Sequence, residues 1–286
     1  MRFLTRVLAV TIALTGINAP VAADSDAYQP TVLVTGSNRG IGLEFARQYA
    51  GLGWQVIATC RNPAKAGELQ ALASQYDNLT VKALDITDHE AVDTLAAALS
   101  DQPIDLLLNN AALLGDFNGQ YFGQIDYELF AQVLAVNTIG TLKVSEAFVD
   151  NVRAGEMKKI VTLGSAAGSI AAIKAPGGHT DLYAYRASKA ALHLLMRNLS
   201  LELADEGIVV GLINPGLVDT RGFADMVSGD KETPADFQQI VNLLKAGVLQ
   251  LSTVEEAVSL MITRIDELDP EQSGQFINAD GNPIPW

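Results

Sequence analysis

Short apolar runs rich in β-branched residues alternate with longer stretches whose apolar positions recur at helical spacing, from Thr31 to the end of the chain. Thr31 to Thr35 (TVLVT) predicts a first buried strand. Trp54 to Thr59, Leu79 to Leu84, Ile104 to Leu108, Ile160 to Leu163, Ile208 to Ile213 and Gln275 to Asn278 predict six more. Between them lie helical patterns. One follows Gly42, with Leu43, Phe45, Ala46, Tyr49 and Ala50 marking it, and another covers about Ala64 to Gln75. A third runs from Asp88, a good cap, to Leu99, and a long one runs from Tyr127 to Val149. Leu182 to Leu203 and a stretch from Thr253 to about Glu267 complete the set. Strands alternating with helices in this way predict an α/β fold, one doubly wound domain with a seven-stranded parallel sheet between helices. No repeat, low-complexity tract or interdomain linker interrupts it.

The 286 residues and 49% hydrophobic content allow a sizeable core. A formal charge of −14 argues against a nucleic-acid surface. The single cysteine, Cys60, excludes an internal disulfide and says nothing about redox compartment; with no companion it reads as a packing residue. The N-terminus differs from the rest. Arg2 and Arg6 precede a charge-free run from Val7 to Ala23, apolar from Val7 to Leu14, with Val21 and Ala23 before Asp24. That is the layout of a secretory signal over residues 1–23, leaving a catalytic domain from Asp24 to Trp286 exported to the periplasm or medium. Thr11, Thr15, Asn18 and Pro20 count against a spanning helix, and no later stretch suits one. The alternative is a translation start nearer the first strand and a cytoplasmic protein.

Chemistry enters directly after the first strand. Gly36-Ser37-Asn38-Arg39-Gly40-Ile41-Gly42 joins strand to helix, an arrangement that turns backbone N–H groups and the positive end of a helix dipole towards a phosphate. This makes the domain a Rossmann-type nucleotide binder. An acid closing the second strand would bind adenosine ribose hydroxyls and select NAD. Here Cys60 and Arg61 follow that strand, so Arg61 with Arg39 is suited to a 2′-phosphate, favouring NADP(H) and leaving NAD(H) as the lesser choice. Two solvated arginines is the plainer reading. Asp85, ahead of Ile86, either accepts from the adenine amine or closes a turn. Asn109 to Ala112 brings small residues to a strand end, suited to close packing against a cofactor. Asn137, inside an apolar helical stretch, either bends the helix and holds a water or satisfies nearby backbone. Ser165 closes the fifth strand, at the sheet edge where ligands bind. Tyr185 and Lys189, four apart, share a helix face. A phenol beside an ammonium favours its anion, so the Tyr185 pKa is expected to fall towards the working pH and suit a general acid for carbonyl reduction. His89, His179 and His193 lack metal-ligand companions, and no metal is expected. From Arg221 to Val248 the pattern is mixed, interrupted by Gly222, Gly229 and Pro234, as in a lid.

Taken together, Thr35-Gly36-x-x-x-Gly40-x-Gly42, Asn109-Asn110-Ala111, Asn137, Ser165, Tyr185-x-x-x-Lys189 and Pro215-Gly216 resemble the short-chain dehydrogenase/reductase family, over nearly the whole chain from Thr31. Thr59-Cys-Arg-Asn62, Tyr185-Arg-Ala-Ser-Lys189 and the ending Asp280-Gly-x-x-x-Pro-Trp286 resemble its C-factor/sniffer group of carbonyl reductases. The resemblance implies an NADP(H)-preferring oxidoreductase converting an aldehyde or ketone reversibly to an alcohol. It implies that Tyr185 donates the proton, Lys189 binds the nicotinamide ribose and lowers the Tyr185 pKa, Ser165 bonds the carbonyl oxygen, and Asn137 holds a water linking Lys189 to solvent. The cofactor would be lined by the Gly36–Gly42 loop, Arg61, Asp85, Ile86, Asn109 and Ala111. On the far side it would meet Tyr185, Lys189, Pro215, Gly216, Val218 and Thr220. Two positions depart from the family pattern. Ala112 stands where glycine is usual, and the Ser165–Tyr185 separation is lengthened by Lys174 to Asp181, which makes Ser169 an alternative to Ser165. The family also implies a small-molecule substrate and a homodimer or homotetramer through the Tyr127 and Tyr185 helices. Competing readings are a nucleotide-binding signalling protein with little turnover and an NAD-dependent alcohol dehydrogenase.

Overall fold

The computed structural model describes residues 28–173 and 181–286. The leader and His179 therefore lie outside the described residues. Among the described residues nine strands form: β1 (Thr31–Val34), β2 (Gln55–Cys60), β3 (Leu79–Ala83), β4 (Leu106–Asn109), β5 (Lys159–Leu163), β6 (Val209–Asn214), β7 (Leu217–Val218), β8 (Leu251–Ser252) and β9 (Phe276–Asn278). Seven make one sheet in the order β3-β2-β1-β4-β5-β6-β9, parallel throughout. β7 and β8 pair separately. The expected strands all appear, shifted by a residue or two at their ends.

The helices are α1 (Gly40–Gly51), α2 (Gly67–Ala73), α3 (His89–Ala98), α4 (Tyr127–Leu134), α5 (Thr141–Ala147), α6 (Val149–Ala154), α7 (Tyr183–Glu202), α8 (Phe223–Ser228), α9 (Gln238–Lys245) and α10 (Val254–Glu267). The alternation of side chains along each strand divides the core into two layers. Val32, Val34, Leu106, Leu108, Val209 and Ile213 pack on one face with α1, α2 and α10. Leu33, Leu107, Ile160, Val210 and Leu212 pack on the other with α3, α5, α6 and α7. A parallel sheet covered on both faces needs this near-continuous apolar content. The cap foreseen at Asp88 is present, accepting from Ala91 N–H, and Thr253 with Glu256 forms a capping box on α10.

One expected helix is broken. The stretch from Tyr127 to Val149 reads as a single helix, but a π turn occupies Ala135–Gly140 between α4 and α5. Its cause lies in other parts of the chain. Gly140 rides so close to Ile86 that a Cβ would lie 2.7 Å from the Ile86 carbonyl oxygen, and Asn137 is tied to the β4 loop. Widening the turn by one residue satisfies both, and such turns recur at functional sites.

The amino end of the sheet is locked by Asp105, only 1% exposed. Its carboxylate accepts from the N–H groups of Thr31 (2.7 Å), Glu156 (2.9 Å) and Met157 (3.2 Å), and from the Tyr28 hydroxyl. This joins the start of β1 to the start of β4 and the turn before β5. Asp105→Ala strands these buried donors, at about 1–3 kcal/mol each. The expected result is a fall of at least about 3 kcal/mol in unfolding free energy, read from the urea midpoint at unchanged m value. Asp105→Asn, which keeps one acceptor oxygen, should lose less.

Candidate active site

The sheet order reverses between β1 and β4, and their loops separate there to open a cleft of about 900 Å³. Gly36, Asn38, Arg39, Gly40, Ile41 and Gly42 form one wall, joined by Arg61, Asp85, Ile86, Ala111 and Thr220. The glycines are sterically required. A Cβ on Gly36, which sits at φ +70°, would come within 2.8 Å of the Ala111 Cα, and one on Gly42 within 2.4 Å of the Gly36 carbonyl oxygen. Arg39 leads into α1 without a side-chain cap, and the first turn holds no acid. Its amide donors are thus left for an anion. Glycine-lined backbone, an uncapped helix start and two arginines fit a dinucleotide with an added phosphate.

Other expected cofactor residues lie differently. The Ser37 hydroxyl donates to the Val34 carbonyl (2.9 Å) and is fully buried. Asn109 turns into the protein, donating to Ser145 Oγ (2.9 Å) and Thr162 Oγ1 (3.4 Å). Its neighbour Asn110 faces the cleft instead, donating to the Thr35 and Gly36 carbonyls. Pro215 and Gly216 bend the chain between β6 and β7, and Val218 is buried beneath the cleft-lining Thr220 segment. Asp85 lines the cleft and also closes a turn, accepting from Thr87 N–H (3.0 Å) and Oγ1 (2.7 Å). Glu68, on the first turn of α2, adds an acid to the cleft that the search at the end of β2 did not find. Leu113, Val136 and Arg221 also line it.

Tyr185 stands on the first turn of α7, half-buried, with its hydroxyl near enough to the Ser165 side chain for that serine to hold its pKa partly down. Ser165 is therefore the serine at the site. Ser169 is fully buried, donates to the Pro285 carbonyl and accepts from Ala172 N–H (3.1 Å). The Lys189 ammonium donates to the Leu163 carbonyl (2.8 Å) and lies 5.9 Å from the centre of the Tyr185 ring. The Tyr185 pKa does not fall as expected. Burial raises it above the ordinary phenol value, with the neighbouring Ser165 side chain and the Arg221 charge pulling only partly back. Lys189 faces the ring, and desolvation holds its own pKa down at about 8. Asn137 follows the plainer of its two readings and satisfies nearby backbone groups. Its amide donates to Leu113 O (2.8 Å) and Ser188 Oγ (2.9 Å), and its oxygen accepts from Leu113 N–H (2.7 Å). The side chain pins the π turn to the β4 loop and α7, and its two donors and its acceptor all have protein partners.

Two positioning residues escaped the sequence reading. α7 begins after Leu182, which sits in the left-handed region and offers no side-chain cap. Gln120, fully buried, supplies one from afar. Its Oε1 accepts from Tyr185 N–H (2.9 Å), its carbonyl from Tyr183 N–H (3.2 Å), and its amide donates to Leu114 O and Asp116 O. His193, 2% exposed, accepts from Ser165 N–H at Nε2 (3.3 Å) and packs on Phe276 at 4.2 Å between ring centroids. Burial, then the Lys189 charge, lowers its pKa to about 3, so the ring is neutral and able to accept. A glutamine beginning a loop and a histidine on an apolar helix face carry no local signal for either role. Among the described residues, no group of three or more His, Cys, Asp or Glu is placed to hold a metal ion.

A doubly wound sheet with a glycine cleft at its switch point and a Ser–Tyr–Lys set beside it defines a dinucleotide-dependent oxidoreductase class. The profile of the short chain dehydrogenase family matches residues 30–231, and the chain belongs to that family. An uncharacterized oxidoreductase of Schizosaccharomyces pombe is 32% identical over 256 residues, covering 88% of this chain and 96% of the relative. The C-signal protein of Myxococcus xanthus is 34% identical over 184 residues, 64% of this chain and 93% of its own. Among solved structures, the NADPH-bound carbonyl reductase from chicken fatty liver superposes with a TM-score of 0.74 at 31% identity, covering 90% of this chain and 99% of its own.

Gln120→Ala removes the cap of α7 and should cost about 1–3 kcal/mol of stability, with turnover reduced beyond what residual folding explains; Gln120→Glu, which keeps the acceptor, should restore part of both. His193 gives a pH test. A base whose native pKa lies below its unfolded value binds protons preferentially in the unfolded chain as pH falls from about 6.5 to about 3. Wild type should lose stability across that window, and His193→Gln should lose less of it, as seen in urea midpoints at pH 7 and pH 4.5.

Proposed function

We propose that the protein is an NADP(H)-preferring carbonyl reductase that converts an aldehyde or ketone to its alcohol, reversibly. The observation that carries this reading is the Ser165–Tyr185 hydroxyl pair beside the glycine cleft, with Lys189 buried behind the ring. NADPH held in the cleft would supply hydride chemistry at the carbonyl carbon. Ser165 donates to the carbonyl oxygen and orients it. Tyr185 delivers its phenolic proton to that oxygen as charge develops, completing the alcohol. A phenol kept protonated by burial is the correct form for reduction, and the reverse reaction needs it ionised. Lys189, charged below about pH 8, stabilises the phenolate left after transfer. Arg39 and Arg61 bind the 2′-phosphate, and the NADPH-bound state of the chicken enzyme supports the same cofactor here.

Two other readings each have one observation in their favour. Glu68 in the cleft favours NAD(H). Similarity to C-signal favours a regulatory protein that binds the nucleotide with little turnover. The domain begins near Asp24 after export, and copies associate through α4 and α7, where Tyr127, Leu194 and Leu201 are 77%, 62% and 63% exposed. Among the described residues no helix is long and apolar enough to cross a membrane. N-terminal sequencing of fractionated cells checks the first point, a mature Asp24 start outside the cytosol being expected. Light scattering checks the second, a monomer being the adverse result.

The deciding experiment follows NADPH consumption by the leaderless protein with a carbonyl panel. Tyr185→Phe should lower kcat by about 10²–10⁴-fold while NADPH still binds. Equal turnover in both proteins would exclude Tyr185 as the acid. Wild type should prefer NADPH to NADH, and Arg61→Asp should move the preference towards NADH; a preference unchanged by the substitution would remove Arg61 from that role.

A further inference from the structure

Three arginines line the cleft, and they are not equivalent. Arg39 stands at the start of α1 and Arg61 just beyond β2. Arg221 follows Thr220, where the segment from Arg221 to Val248 leaves the sheet, and it is the one whose charge reaches the Tyr185 hydroxyl. Its guanidinium is held over the Phe237 ring, 5.4 Å from the centroid. Phe237 is itself set edge-on against Phe117 and Phe223, with centroids 5.3 Å away in each case. That cluster joins the α8–α9 segment, which has a small core of Phe223, Met226 and Val241, to the loop after β4. Arg221 thus rests on a built aromatic platform.

Its charge is also unspent. Among the described residues no carboxylate lies within ion-pair distance of Arg221. The nearest acid in sequence, Asp219, caps α8, accepting from Phe223 N–H (2.6 Å) and Ala224 N–H (3.1 Å). Lys231 Nζ donates to the Arg221 carbonyl (3.0 Å), fixing the backbone beneath the side chain. The glycine loop and the uncapped start of α1 already provide for the cofactor's diphosphate. A third cation, beside the proton donor and on an apolar wall, has no such assignment.

We propose that Arg221 binds a carboxylate of the substrate, so that the preferred carbonyl compounds are oxo acids carrying the carboxylate close to the reacting C=O. The planar fork of the guanidinium matches a carboxylate bidentately, and the aromatic platform keeps it aimed into the cleft. The proposal rests on the reductase reading of Tyr185 and Ser165. It adds that the site selects its substrate by charge.

The test compares wild type, Arg221→Gln and Arg221→Lys in the full leaderless protein. Matched pairs of a 2-oxo acid and its methyl ester are assayed for kcat/KM, and NADPH affinity is read from fluorescence. Separately, phenylacetate and phenylacetamide are titrated calorimetrically into the NADP⁺-loaded protein. Wild type should favour the acid of each pair. Arg221→Gln should lower kcat/KM for the acid by about 10–100-fold, the scale of a charge-assisted hydrogen bond, with a clearly smaller change for the ester, since the lost charge also acts on Tyr185, and with NADPH affinity retained; Arg221→Lys should fall between. Equal loss for acid and ester, or loss of NADPH affinity with the pairs unaffected, overturns the proposal, the latter assigning Arg221 to the cofactor. If no carbonyl is reduced, the binding arm still decides. Carboxylate-selective binding lost in Arg221→Gln supports the anion site while the reductase reading fails, and binding without selectivity overturns it.

Discussion

The cleft exists because two neighbouring strand ends are held together while their chains diverge. At the carboxyl edge, Thr35 Oγ1 accepts from the N–H groups of Asn110 and Ala111, both at 3.0 Å, and Asn110 Nδ2 donates to the Thr35 carbonyl (2.8 Å) and the Gly36 carbonyl (3.1 Å). β1 then continues into the glycine loop and α1, and β4 into the opposite wall. Each bond satisfies a backbone group that the diverging chains would otherwise leave unpaired. The contact admits no Cβ on Gly36 or Gly42, which accounts for two of the three loop glycines. Everything that lines the cleft depends on this junction.

Beside it, burial sets the chemistry more than paired charge does. Tyr185, Lys189 and His193 are all displaced towards their neutral forms, each with desolvation as the leading cause. A neutral phenol can give a proton, and a neutral imidazole can accept the Ser165 amide. Gly164 and Gly168 leave room for that imidazole, since a Cβ on either would come within 3.0 Å of its ring. The Ser165 segment is thus held by α7 behind it and by the C-terminal Pro285 and Trp286, whose carbonyls accept from Ser169 and Ala171.

The segment between β7 and α10 is more than a loop. α8 and α9 pack on each other, and the β7–β8 pair closes their base. One attachment to the β4 loop is the aromatic contact of Phe237 with Phe117.

The strands, their parallel order and the two faces were legible because a buried parallel sheet imposes a local signature: short β-branched runs separated by helix-length amphipathic stretches. The glycine loop was legible for the same reason, since steric demand acts at each glycine. Tyr185, Lys189 and Ser165 could be named from spacing and position. Their electrostatics could not, because spacing places Lys189 one turn from Tyr185 but does not say that the ammonium meets the ring, or how much water either loses. The π turn, the Gln120 cap 65 residues before Tyr185 N–H, the His193 support and the inward turn of Asn109 all arise from contacts between distant segments. Periodicity reports which face of an element is buried. Only the packed structure decides which atom of that face meets which partner, because hydrogen-bond direction and desolvation depend on neighbours that the chain brings together only when it folds.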